Sequence, residues 1–281
     1  MHAAAISRGN DTTGEVWRQL AEVLDPELDE PLTDLGFVEG LEVDGGDVAI
    51  RFRLPTYWCA PNFAFIMARD IKERVSRLSW VRHVHVRLVD HCTSEAINEG
   101  VAASRSFDQV FPNETTGDLA ELRLTFRRKA FMARQERLLK YLGNAGWSAE
   151  SLIDVTLERL RSRDDLGIDG NRLRARYLAI RDELGLGSDG AERAITTVDG
   201  DPITCDSFDV YLKTLRKCRL NMEINTHFCR GLLQVRYDLP SESPVAEDAE
   251  SAAEQRRPER PAPDRVEPLR WMGSSAKESD R

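Results

Sequence analysis

The sequence predicts an α/β (α+β) protein with three parts. They are a small N-terminal helix–strand–strand–helix–strand sandwich, a mainly helical second domain and a disordered tail. Three observations carry this. Val48, Ile50, Phe52 and Leu54 alternate with Ala49, Arg51 and Arg53, the period of a strand with one buried face. Phe63, Ile66, Met67, Ile71, Val75 and Leu78 recur at helical spacing. Val84, Val86 and Leu88 then alternate with His83, His85 and Arg87, giving another strand.

The first helix is expected from Thr12 or Thr13, either of which can serve as its N-cap. It carries Val16, Trp17, Leu20, Val23 and Leu24 on one face. Asp25-Pro26-Glu27 ends it, because proline disfavours helix in the preceding residue. Phe37 to Val43 reads as a strand, and Asp44-Gly45-Gly46-Asp47 as the hairpin turn to the next one. A hairpin followed by a helical crossover makes a compact α/β unit. The expected boundaries are a flexible segment at 1–12, the α/β domain at 13–105, the helical domain at 106–240 and the tail at 241–281.

In the helical domain, Leu119, Leu122, Phe126, Leu138, Leu139 and Leu142 mark a long or broken helix. Two more are expected near 149–160 and 171–184, and another over 207–217. Strands are expected at 194–198, 221–225 and 232–237, the last two closing around a Cys229-Arg230-Gly231 turn. From Ser241 the chain is rich in Pro, Glu, Ser, Ala and Arg, with few apolar anchors, the composition of a segment that stays disordered.

Composition narrows the function. The net charge is −9 over 281 residues, and no basic block stands out, which argues against nucleic acid. No apolar run approaches the roughly 18 residues of a membrane span, so no membrane is expected. The first residues lack the pattern of a signal peptide. The five cysteines are odd in number and form no C-x-x-C pair. A reducing cytoplasm is therefore the expected location.

The chemistry concentrates at Cys59, at the end of a strand and just before a helix that Pro61 or Asn62 would open. A thiolate there would face the positive end of a helix dipole, which lowers a thiol pKa. Thr56 can hydrogen-bond the loop amides. Asp25 and Glu27 are carboxylates near the start of the sheet. His91 and Cys92 leave the third strand and form a second candidate group with Asp90, Glu95 and Asn98. His83 and His85 fit a solvated strand face. Cys229, two residues from His227, is the least bland of the remaining cysteines. One cysteine cannot fill a tetrahedral metal site, so further ligands would come from a second copy or a client.

Taken together, Asp25-Pro26-Glu27, Leu35-Gly36, the 48–54 strand, Thr56 to Pro61 and the 84–88 strand resemble the PaaD/SufT-type metal–sulfur cluster assembly family. The resemblance covers roughly residues 14–92. It implies a small α/β fold and a role in iron–sulfur protein maturation. It makes Cys59 the reactive cysteine and Asp25, Pro26 and Glu27 the acidic turn. Ala60 stands where the family commonly places proline after the cysteine. The longer form, with Asp90-His91 and the segment from Glu95 to Val101, is similar to accessory proteins of bacterial diiron monooxygenases of the propane type. The expectation is a non-enzymatic factor that transiently binds iron or an iron–sulfur cluster. Cys59, Asp25, Glu27 and Thr56 would form the cofactor site, with Cys59, His91 and Cys92 as metal ligands. The client would be a metalloprotein such as a diiron monooxygenase or its reductase, and a homodimer could pair two Cys59 loops. The rivals are a metal-free adaptor, and an enzyme with Cys59 as nucleophile and His83, His85 or His91 as base.

Overall fold

The computed structural model describes residues 3–113 and 119–239, with side chains from residue 12 onward. The tail expected at 241–281 lies outside the described residues. In the first half, α1 (Ala3–Leu20) leads through the Asp25 turn to β1 (Val38–Asp44) and β2 (Asp47–Phe52). These strands pair antiparallel across the two-residue Gly45-Gly46 loop, where Gly45 takes φ 57°. Such a loop needs positive φ, which explains Gly45, while a Cβ at Gly46 would run into the Arg82 side chain. Then α2 (Pro61–Val75) crosses over to β3 (His83–Leu88), which pairs parallel with β2. A parallel pair requires such a crossover. The sheet order is β1-β2-β3.

Three strands alone are marginal in water, so the sheet depends on what covers it. Val48, Ile50 and Phe52 on β2 are fully buried, and share a core with Val16 and Leu20 of α1 and Phe65 and Ile71 of α2. Each such side chain contributes about 1.5–3 kcal/mol by burial. Two more helices, α3 (Ser94–Ala102) and α4 (Phe107–Val110), close the unit. Phe107 and Phe111 belong to this first core, so it runs past the expected boundary at 105.

The second half is helical: α5 (Leu119–Asn144), α6 (Ala149–Asp154), α7 (Leu157–Arg161), α8 (Gly167–Glu183) and α9 (Cys205–Tyr237). Phe131, Leu138, Leu142, Tyr177, Ile195 and Leu215 lie in its separate core. Gln135, fully buried, donates to the Thr196 carbonyl at 2.9 Å and accepts from the Tyr211 hydroxyl at 2.6 Å.

Four expectations differ from what is found. The helix expected from Thr12 or Thr13 begins at Ala3, so the segment at 1–12 is largely helical where described. The strand expected at 194–198 is only one isolated bridge, Thr196 with Pro202, next to another of Thr156 with Arg193. The two closing strands at 221–225 and 232–237 do not exist. Both lie within α9, a single helix of 33 residues. Gly231 suggested a turn, yet glycine inside a helix costs only about 1 kcal/mol against alanine. Burial of Met222 and Leu233 on one face outweighs that cost. Lastly, the two halves are not separable at 105. The chain through Leu239 forms one compact unit, because the end of α9 returns to the first core, where Leu233 is 2% exposed.

Candidate functional site

The Asp25 turn is built by its own carboxylate. Asp25 Oδ1 accepts from the backbone N–H groups of Glu27 and Leu28, both at 2.9 Å. The backbone closes the turn through Asp25 N–H to Glu30 O and Asp29 N–H to Asp25 O, each 2.9 Å. Asp25 is 7% exposed, and burial raises its carboxyl pKa to about 6 in spite of those two amides. A cleft of about 590 Å³ reaches Asp25 and Pro26 from the side of α2 and α5, lined also by Asp70, Arg123 and Phe126.

The Cys59 loop follows β2 and ends at α2, with Pro61 in the first turn of the helix as expected. Arg236, near the end of α9, holds this loop against the one after β3. It donates to Leu54 O at 3.3 Å and Asp90 O at 2.8 Å, and pairs with Asp90 Oδ2 at 2.6 Å. Tyr237 adds a bond from its hydroxyl to Asp90 Oδ2 at 3.0 Å. Cys92 N–H donates to Tyr57 O at 2.8 Å, a third tie between the loops.

His91 is buried between them. Thr93 N–H donates to its Nδ1 at 3.2 Å, so its Nε2 carries the proton and donates to Cys59 O at 2.8 Å. Burial lowers its pKa, keeping it neutral. Both ring nitrogens are thereby engaged in positioning the loop. Asn98 likewise clamps β3, with Oδ1 accepting from Leu88 N–H and Nδ2 donating to Leu88 O. His83 is exposed and bonded to Asp47 at 2.7 Å, and His85 is exposed, as a solvated strand face requires. Thr56 is half-buried in the loop, and its hydroxyl makes no hydrogen bond among the described residues.

The expected low thiol pKa is corrected here. Burial raises the Cys59 thiol to about 12, with added repulsion from Asp25, Cys229 and Glu27. The dipole argument fails because Pro61 has no N–H, and the Phe63 and Ala64 amides are turned to Ala60 O. Only the Ala60 N–H acts on the sulfur from the backbone, and it has the smallest effect.

The same electrostatics reveal a residue that sequence reasoning weighted too low. Cys229 lies close enough to Cys59 to repel its thiolate, and is itself raised to about 11 by burial, Asp25 and Glu27. Asn225, one turn earlier on α9, reaches Glu27 at 3.5 Å. Leu233, one turn later, approaches Gly36, which has φ 73° and would place a Cβ 3.4 Å from that leucine. This accounts for the Leu35-Gly36 pair. The structure thus gathers Cys59, Cys229, Asp25 and Glu27, while Cys92 is exposed and tied in through its backbone. Among the described residues no three His, Cys, Asp or Glu side chains are placed to hold a metal ion by themselves.

Residues 14–87 match the family model described as iron-sulfur cluster assembly protein. The match spans about a quarter of the chain and supports a role in iron–sulfur cluster assembly in general. It covers the Asp25 turn and Cys59 and ends within β3, so Cys229 and the rest of α9 lie outside the matched residues. No curated protein matches the chain. No helix among the described residues is long and apolar enough to cross a membrane.

Alkylation tests the protonated state of the Cys59 thiol. Near neutral pH, iodoacetamide is expected to modify exposed Cys92 and Cys205 long before Cys59, whose thiolate fraction is roughly a thousandfold below that of a free thiol. Peptide mass mapping reads the order. Equal rates at Cys59 and Cys92 would refute the burial argument.

Proposed function

We propose that the chain is a maturation factor that takes up iron or an iron–sulfur fragment at Cys59 and Cys229 and passes it to a client metalloprotein. The carrying observation is the convergence of two half-buried thiols and two carboxylates within and against an assembly domain. Their protonated state suits a carrier rather than a nucleophilic enzyme. A metal ion deprotonates a coordinating thiol outright, so each sulfur would exchange its proton for a bond to the cargo. Asp25, with its pKa near 6, is ionised at neutral pH and is placed to receive one of those protons. Two thiols leave a tetrahedral site incomplete. Ligands from the client would complete it, and a hold of that kind is transient. The resemblance to PaaD/SufT-type proteins and to monooxygenase accessory proteins favours a diiron monooxygenase or its reductase as client.

Anaerobic reconstitution with iron and sulfide tests this. Wild type is expected to retain iron and sulfide after desalting, and Cys59→Ala and Cys229→Ala to retain at least about tenfold less, since even losing a partner that only orients a ligand costs about tenfold or more. Retention should rise with pH, since loading releases protons. Equal retention in all three proteins would remove the assignment. No retention in any of them, with client maturation intact in Cys59→Ala, would leave the metal-free adaptor.

A further inference from the structure

We infer that the exposed face of α9 joins two copies of this chain, paired antiparallel about Phe228. Leu220, Ile224, Phe228, Leu232 and Val235 are 41%, 51%, 64%, 48% and 85% exposed. The first four follow at steps of four and form one ridge, and Val235 falls on the same side. At 1.5 Å per residue the ridge runs about 22 Å. The opposite face is buried through Phe208, Leu215, Met222 and Leu233. A helix apolar on both faces is one with a partner on each.

The order of residues identifies the partner on the exposed face. Reversing the ridge about Phe228 sets Ile224 against Leu232, Leu220 beside Val235, and Phe228 on itself. The same reversal sets the exposed charges of Lys217 and Asp238 level with each other, opposite in sign. A two-fold interface requires this self-complementarity, whereas a client or a segment of the tail does not. Ridges of this kind interdigitate at about 50°. Gly231 lies one turn from Phe228, and among the described residues nothing stands within 4 Å of where its Cβ would be. Glycine is a poor helix former, no described residue packs there, and the space accommodates the partner's Phe228 ring. Tyr57 and Trp58, 47% and 76% exposed, add aromatic surface near the C-terminal end of α9, where Arg236 lies 6.0 Å from the Tyr57 ring.

An interface of this length falls at the small end of specific ones, so dissociation in the micromolar range is expected. The test is light scattering on the full chain from about 1 to about 200 µM, a range that brackets such an affinity. The mass should climb from monomer toward dimer in wild type. Phe228→Glu, at a position already open to solvent, should stay monomeric with an unchanged unfolding midpoint. Under mild oxidation Phe228→Cys should crosslink to itself through residue 228, and Leu220→Cys should crosslink to Val235→Cys in a mixture, both read by peptide mapping. A wild type that is monomeric throughout, or a dimer that survives Phe228→Glu, overturns the proposal.

Discussion

Replacing Asp29 with alanine is expected to cost about 3–5 kcal/mol of folding stability, the range for breaking a buried ion pair from one side. Asp29 is 4% exposed and receives a two-point grip from Arg134, Nε to Oδ2 at 2.8 Å and Nη2 to Oδ1 at 2.6 Å. Arg176 adds a bond to the Asp29 carbonyl at 2.8 Å. Alanine would leave the Arg134 guanidinium, 8% exposed, without its hydrogen-bonded carboxylate, with only the weaker charges of Glu183 and Glu30 near it. Asp29 also sits at φ 56°, where a non-glycine residue is disfavoured and aspartate is among the better tolerated. Asp29→Asn keeps that tolerance and one acceptor, so the difference between the two variants isolates the charge. Urea unfolding at neutral pH measures both. A loss below about 1 kcal/mol in Asp29→Ala would show that water reaches Arg134 and that the pair is worth no more than a surface one. The pair joins the Asp25 turn to α5 and α8. Faster amide exchange at Glu27 and Leu28 should therefore accompany the loss of stability.

The second large effect has the opposite sign. Asp25→Asn should stabilise the protein by about 3 kcal/mol at pH 8, the free energy of holding a carboxyl near 6 instead of its ordinary 3.8. The folded state binds this proton more tightly than the unfolded chain does. The associated stability is complete below about pH 4, declines as the pH rises, and is gone above about pH 7. Asparagine presents the same oxygen to the Glu27 and Leu28 amides and never ionises. Its advantage should grow between those limits and then level off. Unfolding curves across that range would show it, and a constant difference would mean that Asp25 is not the titrating group. If Asp25 serves cargo uptake, the stabilised variant should also load less iron, the exchange of stability for function seen when a strained site is relaxed.

Much of the first half was legible because its signals are local. The alternation over 48–54 and 84–88, the Gly45-Gly46 turn and the stripe from Phe63 to Val75 each sit within a few residues, and the sheet follows from them. The site was legible only in part. Cys59, Asp25 and Glu27 stand out by their neighbours. Cys229 does not, because its place depends on α9 running unbroken through Gly231, and a glycine between apolar residues reads equally as a turn. The thiol pKa was misjudged for the same reason. Proximity to a helix N-terminus can be read from order along the chain, whereas burial by α9 and repulsion from Asp25 come from parts distant in sequence. The grip of Arg134 on Asp29 is likewise a tertiary fact, with no periodicity to announce it.

The return of α9 to the first core also has a meaning in time. Synthesis proceeds from the N-terminus, and early segments can begin to fold before later ones emerge. Cys59, the Asp25 turn and the sheet are made first, but Cys229, Arg236 and Tyr237 come from the last described helix. On a nascent chain the Cys59 loop would lack the clamp of Arg236, and its sulfur would have no thiol neighbour from α9. The paired thiols belong only to a molecule translated through Tyr237, so chain order keeps an unfinished copy from presenting them.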